Sequence, residues 1–186
     1  MIRITSALVL STILVGCTSR ESSDLTITPS EVSEMDHVDI ADEVFKRILK
    51  KHGDGVDPSK LPKAQQTVLL VYHAHGLIGN GGFQYLFEGD FPGDPEFLLT
   101  RQAYKTIGAT SAVAAFDKAF AVFPNSTPPS DINRRIKMWQ SKYNLVGSLR
   151  DESAPDSMYL SADDSVMEKL VDYIKANEGE FASLPK

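Results

Sequence analysis

The stretch PKAQQTVLLVYHAHGLIGNGGFQYLF, residues 62–87, decides the fold class. Pro62 sits where a first helical turn tolerates proline, and Ala64, Val68, Leu69, Val71 and Tyr72 follow at helical spacing, which predicts an apolar, central helix to about Gly76. Gly79-Asn80-Gly81-Gly82 then interrupts the pattern, and Phe83-Gln84-Tyr85-Leu86-Phe87 resumes as a short aromatic-rich segment. Asn-Gly favours hairpin turns and leaves room for a small hairpin near residue 80, although the flanks lack period-two alternation.

The neighbouring segments repeat the helical period. Upstream, Ser30 with Glu31 and Glu34 reads as a capped start, Ala41, Val44, Phe45, Ile48 and Leu49 recur at three and four, and Gly53 and Gly55 end the run. Downstream, Asp94-Pro95-Glu96 signals a helix through Phe97, Arg101, Tyr104 and Ile107, closed by Gly108. Ala112, Val113, Phe116, Ala119, Phe120 and Phe123 form a further stripe, stopped by Pro124. Ile132, Ile136, Trp139 and Tyr143 mark another helix, with Arg134, Arg135 and Lys137 expected on its outer face. Residues 144–160 read as irregular, and a last helix carries Val166, Leu170, Tyr173 and Ile174. The expectation is an all-α, compact single domain of six to seven helices over residues 31–182, without internal repeats.

Residues 1–30 read as an address rather than as fold. Arg3 precedes an apolar run from Ile4 to Val15, too short to span a bilayer and of signal-peptide length, and Leu14-Val15-Gly16-Cys17 resembles the bacterial lipobox. Residues 1–16 are therefore expected to be a signal peptide, Cys17 the acylated first residue of the mature chain, and residues 17–30 a polar tether. Cys17 is the only cysteine, which excludes intrachain disulfides and Cys-based zinc sites. By analogy with lipoproteins at large, Thr18 rather than aspartate after the cysteine favours the outer membrane, facing the periplasm.

Charge bounds the partners. The whole chain carries a formal charge of -6, and without residues 1–16 it has 18 basic against 25 acidic residues, or -7. Such a surface repels nucleic acid and leaves basic proteins open as partners. Acidic stretches from Glu88 to Glu96 and from Asp151 to Asp164 are the candidate binding patches.

Catalytic motifs are sparse. His73 and His75 invite a metal, yet residues two apart on a helix point roughly 200° from each other and cannot share one ion there. Gly79-Asn80-Gly81-Gly82 could offer N–H groups to an anion, but no Gly-Lys-Ser/Thr follows, and glycines at a junction serve backbone angles. Gly-x-Ser-x-Gly and His-Glu-x-x-His are absent, and the carboxylate pairs Asp90/Asp94 and Asp163/Asp164 suit caps or solvated faces. No catalytic, cofactor or metal residue is assigned, and the reading leans away from an enzyme. The rival is an unrecognised site, for instance a metal-dependent hydrolase, near His73 and His75.

Asn80-Gly81-Gly82-Phe83-Gln84-Tyr85, then Ile107-Gly108-Ala109 with Ala114 and Phe123, and finally Tyr173-Ile174 with Asn177 and Phe181 together resemble the DNA-mimic-like helical domain family, over roughly residues 38–182. The resemblance implies an all-α fold and, for the best-known member, an acidic dimer that occupies the DNA-binding surface of a transcription factor. Most of the family has no assigned function. Leu77-Ile78-Gly79 stand where the family often has an acid, and Glu88 where an asparagine tends to follow. The combined expectation is a membrane-anchored envelope lipoprotein held to the bilayer by acylated Cys17, whose non-catalytic helical domain binds an unidentified protein and not nucleic acid directly. Acidic DNA mimicry is a further alternative, and neither the partner nor the oligomeric state follows from the sequence.

Overall fold

The first helix, α1 (His37–His52), places Asp39 in its first turn and Lys50, Lys51 and His52 in its last, each sign matched to the nearer end of the helix dipole. Gly53 ends it at φ +87°, where its N–H reaches the Leu49 carbonyl at 2.7 Å. Ile40, Ala41, Val44 and Ile48 are buried on one side. The structure is a computed structural model and describes residues 37–143 and 151–185. The expected leader (residues 1–16), Cys17, the tether (residues 17–30) and the cap at Ser30 lie outside the described residues, as do residues 144–150.

After a short 3-10 turn (Pro58–Lys60), α2 runs from Lys63 to Glu88. At 26 residues it is the longest element, about 39 Å of helical rise. It packs against α1, α3 (Leu98–Thr106), α5 (Ile132–Lys142), α6 (Pro155–Leu160) and α7 (Asp163–Ala176). The remaining helix, α4 (Thr110–Phe120), packs on α3 and α6, and its Ala112, Ala115 and Ala119 are fully buried, small enough for close approach. Gly108, at φ +74°, turns the chain from α3 into α4. The described residues thus form seven α-helices with short 3-10 turns and no strand, the all-α architecture the periodicity predicts.

Several local expectations change. The central helix does not stop near Gly76: Gly76 and Gly79 remain helical, with open space where a Cβ would stand, and the chain deviates only at Gly81 and Gly82. The hairpin considered near residue 80 is a kink, and Phe83 to Glu88 continue as helix beyond it. Within the stretch expected to be irregular, residues 155–160 form α6, with Pro155 at the first turn. Asp94 does not begin a helix through Phe97. Phe97 is left-handed (φ 58°, ψ 20°), α3 starts at Leu98, and the buried Asp94 carboxylate accepts from the Leu99 N–H at 2.9 Å, the Thr100 N–H at 2.7 Å and the Thr100 hydroxyl at 2.7 Å. It is a cap offered from four residues before the helix. Burial pushes this carboxyl above its ordinary range, against the lowering effect of those hydrogen bonds.

The core is aromatic. Phe83 meets Phe116 edge-on at 5.1 Å between ring centroids, and Phe87 meets Phe123 and Trp139 edge-on, each at 5.1 Å. These T-shaped contacts set positive ring edges on negative faces and add to the burial of the rings themselves.

Arg135 corrects the expectation for α5. Arg134 and Lys137 are exposed as anticipated, but Arg135 is 1 % exposed. Its Nε donates to the Phe87 carbonyl at 2.7 Å, Nη2 to Gly89 at 2.8 Å, and Nη1 to Pro95 at 3.0 Å and Pro129 at 2.9 Å. The guanidinium also lies 4.8 Å from the centroid of the Phe97 ring. Desolvation lowers its pKa below the ordinary value, partly offset by Asp90 and Asp131. Lysine cannot reproduce this planar fork. Arg135→Lys should therefore cost about 3 kcal/mol by urea unfolding, because buried carbonyls lose their donors, while Arg134→Lys should stay within about 0.5 kcal/mol of the parent.

Candidate functional site

Asn80-Gly81-Gly82-Phe83-Gln84-Tyr85 makes up the kink of α2, and each residue has a separate task. The Asn80 amide donates to the Gly76 carbonyl at 2.7 Å and closes the incoming half of the helix. The Tyr85 ring lies against Gly81, where an added Cβ would stand 2.2 Å from it. Gly82 takes φ +68°, ψ -168°, a conformation almost confined to glycine, and an added Cβ there would sit 2.6 Å from Asp156 Oδ1. That carboxylate, brought in by the first turn of α6, accepts the Phe83 N–H at 2.7 Å. Phe83 is fully buried, Gln84 donates to Glu88 at 2.8 Å, and Tyr85 is 47 % exposed. The block turns the helix and receives a carboxylate; its buried atoms are committed within the fold.

Two histidines follow different paths from α2. His75 is half-buried, its Nδ1 3.2 Å from the Tyr159 hydroxyl, which is in turn 2.7 Å from the Tyr104 hydroxyl. Tyr104 donates onward to the Val71 carbonyl at 3.3 Å. His73 stacks on Phe91, centroids 5.0 Å apart, at the rim of a cleft of about 290 Å³. The metal alternative needs the two rings at one ion, and the structure instead divides them between the tyrosine pair and the cleft. Among the described residues no group of three His, Cys, Asp or Glu is placed to hold a metal.

The cleft lies between the C-terminal half of α1, residues 54–58, the middle of α2 and residues 90–92. Leu69 and Leu70 form its depth, Phe45 and Leu49 one wall, and Phe91 the other. Asp54 and Asp90 are the ionised groups along it. Its walls are tied together. Gln66 Nε2 donates to the Pro58 carbonyl at 2.8 Å, and Gly93, at φ +79°, lies so close to Asp57 that no side chain fits between them. On the α1 side, Tyr72 donates to Asp42 at 2.8 Å; burial and then this carboxylate push its phenol up to about 12. The outer edge of His73 is open to solvent, but its stacked face is desolvated, and that burial lowers its pKa. A second, shallower hollow between α4 and α6 is lined by Ser111, Ser157, Ser161 and Glu152.

The acidic patches are thinner than the sequence suggests. Glu88 and Asp90 are exposed, as are Asp151 and Glu152. Asp94 and Asp156 are each 4 % exposed and serve as internal caps, so neither contributes to a binding surface. Sequence reasoning placed Asp94 at a helix start but missed its burial, and it missed the Asp156 cap and the buried Arg135. The spacing of Arg135, three after Ile132 and four before Trp139, is the signal that places it on the inner face.

Two predictions follow from this geometry. Gly82→Ala should cost more than about 2 kcal/mol, combining left-handed strain with displacement of Asp156, whereas Gly79→Ala, helical and facing open space, should be neutral or stabilising by up to about 1 kcal/mol; chemical denaturation of the two variants checks this. For His73, the folded pKa lies below the ordinary 6.5, so the unfolded chain binds a proton that the folded chain does not. Its contribution to stability is then complete above 6.5 and is lost as pH falls through the window below, and an NMR titration of the ring should give a midpoint under that value.

No curated protein and no solved structure shows significant similarity to the chain. A family model described as DMP19-like protein matches residues 59–177, from the 3-10 turn before α2 to the end of α7. This span holds the kink, both internal caps and Arg135 and covers well over half of the sequence, and the chain belongs to the DMP19-like protein family.

Proposed function

We propose that this protein is a lipid-anchored envelope protein whose helical domain binds a basic surface of another protein and carries out no chemistry of its own. The observation that carries this reading is the division of its acids. Asp94 and Asp156 are internal, while Glu88, Asp90, Asp151 and Glu152 remain exposed and available to a cationic partner. Membership of the DMP19-like family is compatible with this reading, because the resemblance implies, for the best-known member, recognition of a DNA-binding protein's basic face by an acidic one. Export is what separates this chain from such a regulator. The lipobox at Leu14-Val15-Gly16-Cys17 and the polar tether after it favour an envelope partner, at the outer membrane by the residue at position 18.

Fractionation and in-cell crosslinking test the proposal together. The parent should partition with membranes and crosslink reproducibly to an envelope protein, and Cys17→Ser should lose both properties. Glu88→Lys combined with Asp151→Lys should weaken capture of that protein, and capture by the parent should fall as salt rises. Recovery of a cytoplasmic DNA-binding protein would replace this reading with DNA mimicry, and capture insensitive to both charge reversal and salt would remove the acidic surface from it.

A further inference from the structure

The cleft beside His73 has a composition that selects its ligand. Its rings are those of Phe45, Phe91 and His73, the last two stacked on each other, its acidic groups are the carboxylates of Asp54 and Asp90, and neither lysine nor arginine lines it. Aromatic faces attract cations through the ring quadrupole, and two carboxylates add attraction of the same sign. Anions meet repulsion from both carboxylates, and no lysine or arginine along the lining offers them a donor. Its volume, about 290 Å³, stands at the small end of ligand cavities, which run from roughly 300 Å³ upward.

We propose that this cleft binds a small organic cation, an ammonium group on an aromatic or short aliphatic body. The body fills the space over Leu69 and Leu70, and the ammonium lies toward Asp54 and Asp90. The depressed basicity of His73 fits this arrangement, since a neutral imidazole adds no competing positive charge. The site is preformed, because the Gln66 bond to Pro58 and the seat of Asp57 on Gly93 hold the 54–58 and 90–93 segments in place without a ligand. This goes beyond recognition of a protein by the exposed acids and does not depend on it.

Calorimetric titration of the full chain, in a neutral maltoside detergent, with three probes of one shape tests the assignment: phenethylammonium, 2-phenylethanol and 3-phenylpropionate. The ammonium should bind most tightly, the alcohol about fivefold more weakly and the carboxylate weakest. Asp54→Asn with Asp90→Asn should bring the ammonium down to the alcohol and leave the alcohol unchanged. Val56→Trp, which fills the cleft from its loop wall, should abolish binding of all three while keeping the parent's thermal transition. Equal binding of the probes, no heat from any of them at millimolar concentration, an ammonium preference that survives the double Asn substitution, or binding that survives Val56→Trp overturns the proposal.

Discussion

The structure depends on how the second half of α2 is held between two charges. Beyond the kink, Phe83 to Glu88 form little more than one and a half turns, too short to persist without tertiary support. At its start the Asp156 carboxylate takes the Phe83 N–H, and at its end the Arg135 guanidinium takes the carbonyls of Phe87 and Gly89. The anion stands at the positive end of the segment and the cation at the negative end, each meeting backbone groups that have no partner within the helix. Neither charge sits on α2 itself. Asp156 comes from α6 and Arg135 from α5, so forming this segment requires both helices to dock, which makes three elements cooperative.

Packing follows from that anchorage. Fixing Phe83 and Phe87 fixes the two rings from which most of the aromatic core radiates, toward Phe97, Phe116, Phe123, Trp139 and Tyr159. Arg135 then reaches past the helix end to Pro95 and Pro129 and covers the Phe97 ring, holding the segment in which Phe97 is left-handed. Such a conformation costs roughly 1–2 kcal/mol in a residue with a side chain. Here it lets a large ring turn inward just before α3 while the Asp94 carboxylate stays free to cap that helix. Phe91, set on the same stretch of chain, stacks against His73 and completes one wall of the cleft.

Much of this fold is legible in the sequence, because helical periodicity marks apolar faces directly. The stripes of α1, α4 and α7, the stop at Gly53 and the turn at Gly108 all fall where the spacing places them. What escapes is polar and long-range. Glycines at 76 and 79 look like breakers, but tertiary packing of α2 on five other helices outweighs about 1 kcal/mol of propensity at each. Asp156 reads as one acid in an irregular stretch, since its partner amide lies 73 residues away. Arg135 looks like surface charge beside Arg134 and Lys137, because an internal guanidinium held by chain carbonyls is rare enough that residue type outvotes spacing. The cleft is hard to read for a related reason: its members come from four separate segments, and only His73 and Asp90 stand out as residue types.

These same particulars explain why the shared signature of the family says little about activity. Its glycines are used by the kink, its phenylalanine by the core and its backbone amide by Asp156, so the signature preserves a scaffold. A scaffold of this kind constrains the interior and leaves the exterior to diverge, which is how one fold comes to serve unrelated partners. Formal charge is an equally indirect guide. Two of the aspartates and one of the arginines behind the value of -6 are internal, where they serve helix ends and chain carbonyls rather than an external field. What the scaffold leaves outward is the exposed acids near residues 88–90 and 151–152, and a cleft lined by rings and by two carboxylates. Asp90 belongs to both, so the cleft and the first acidic patch share a carboxylate.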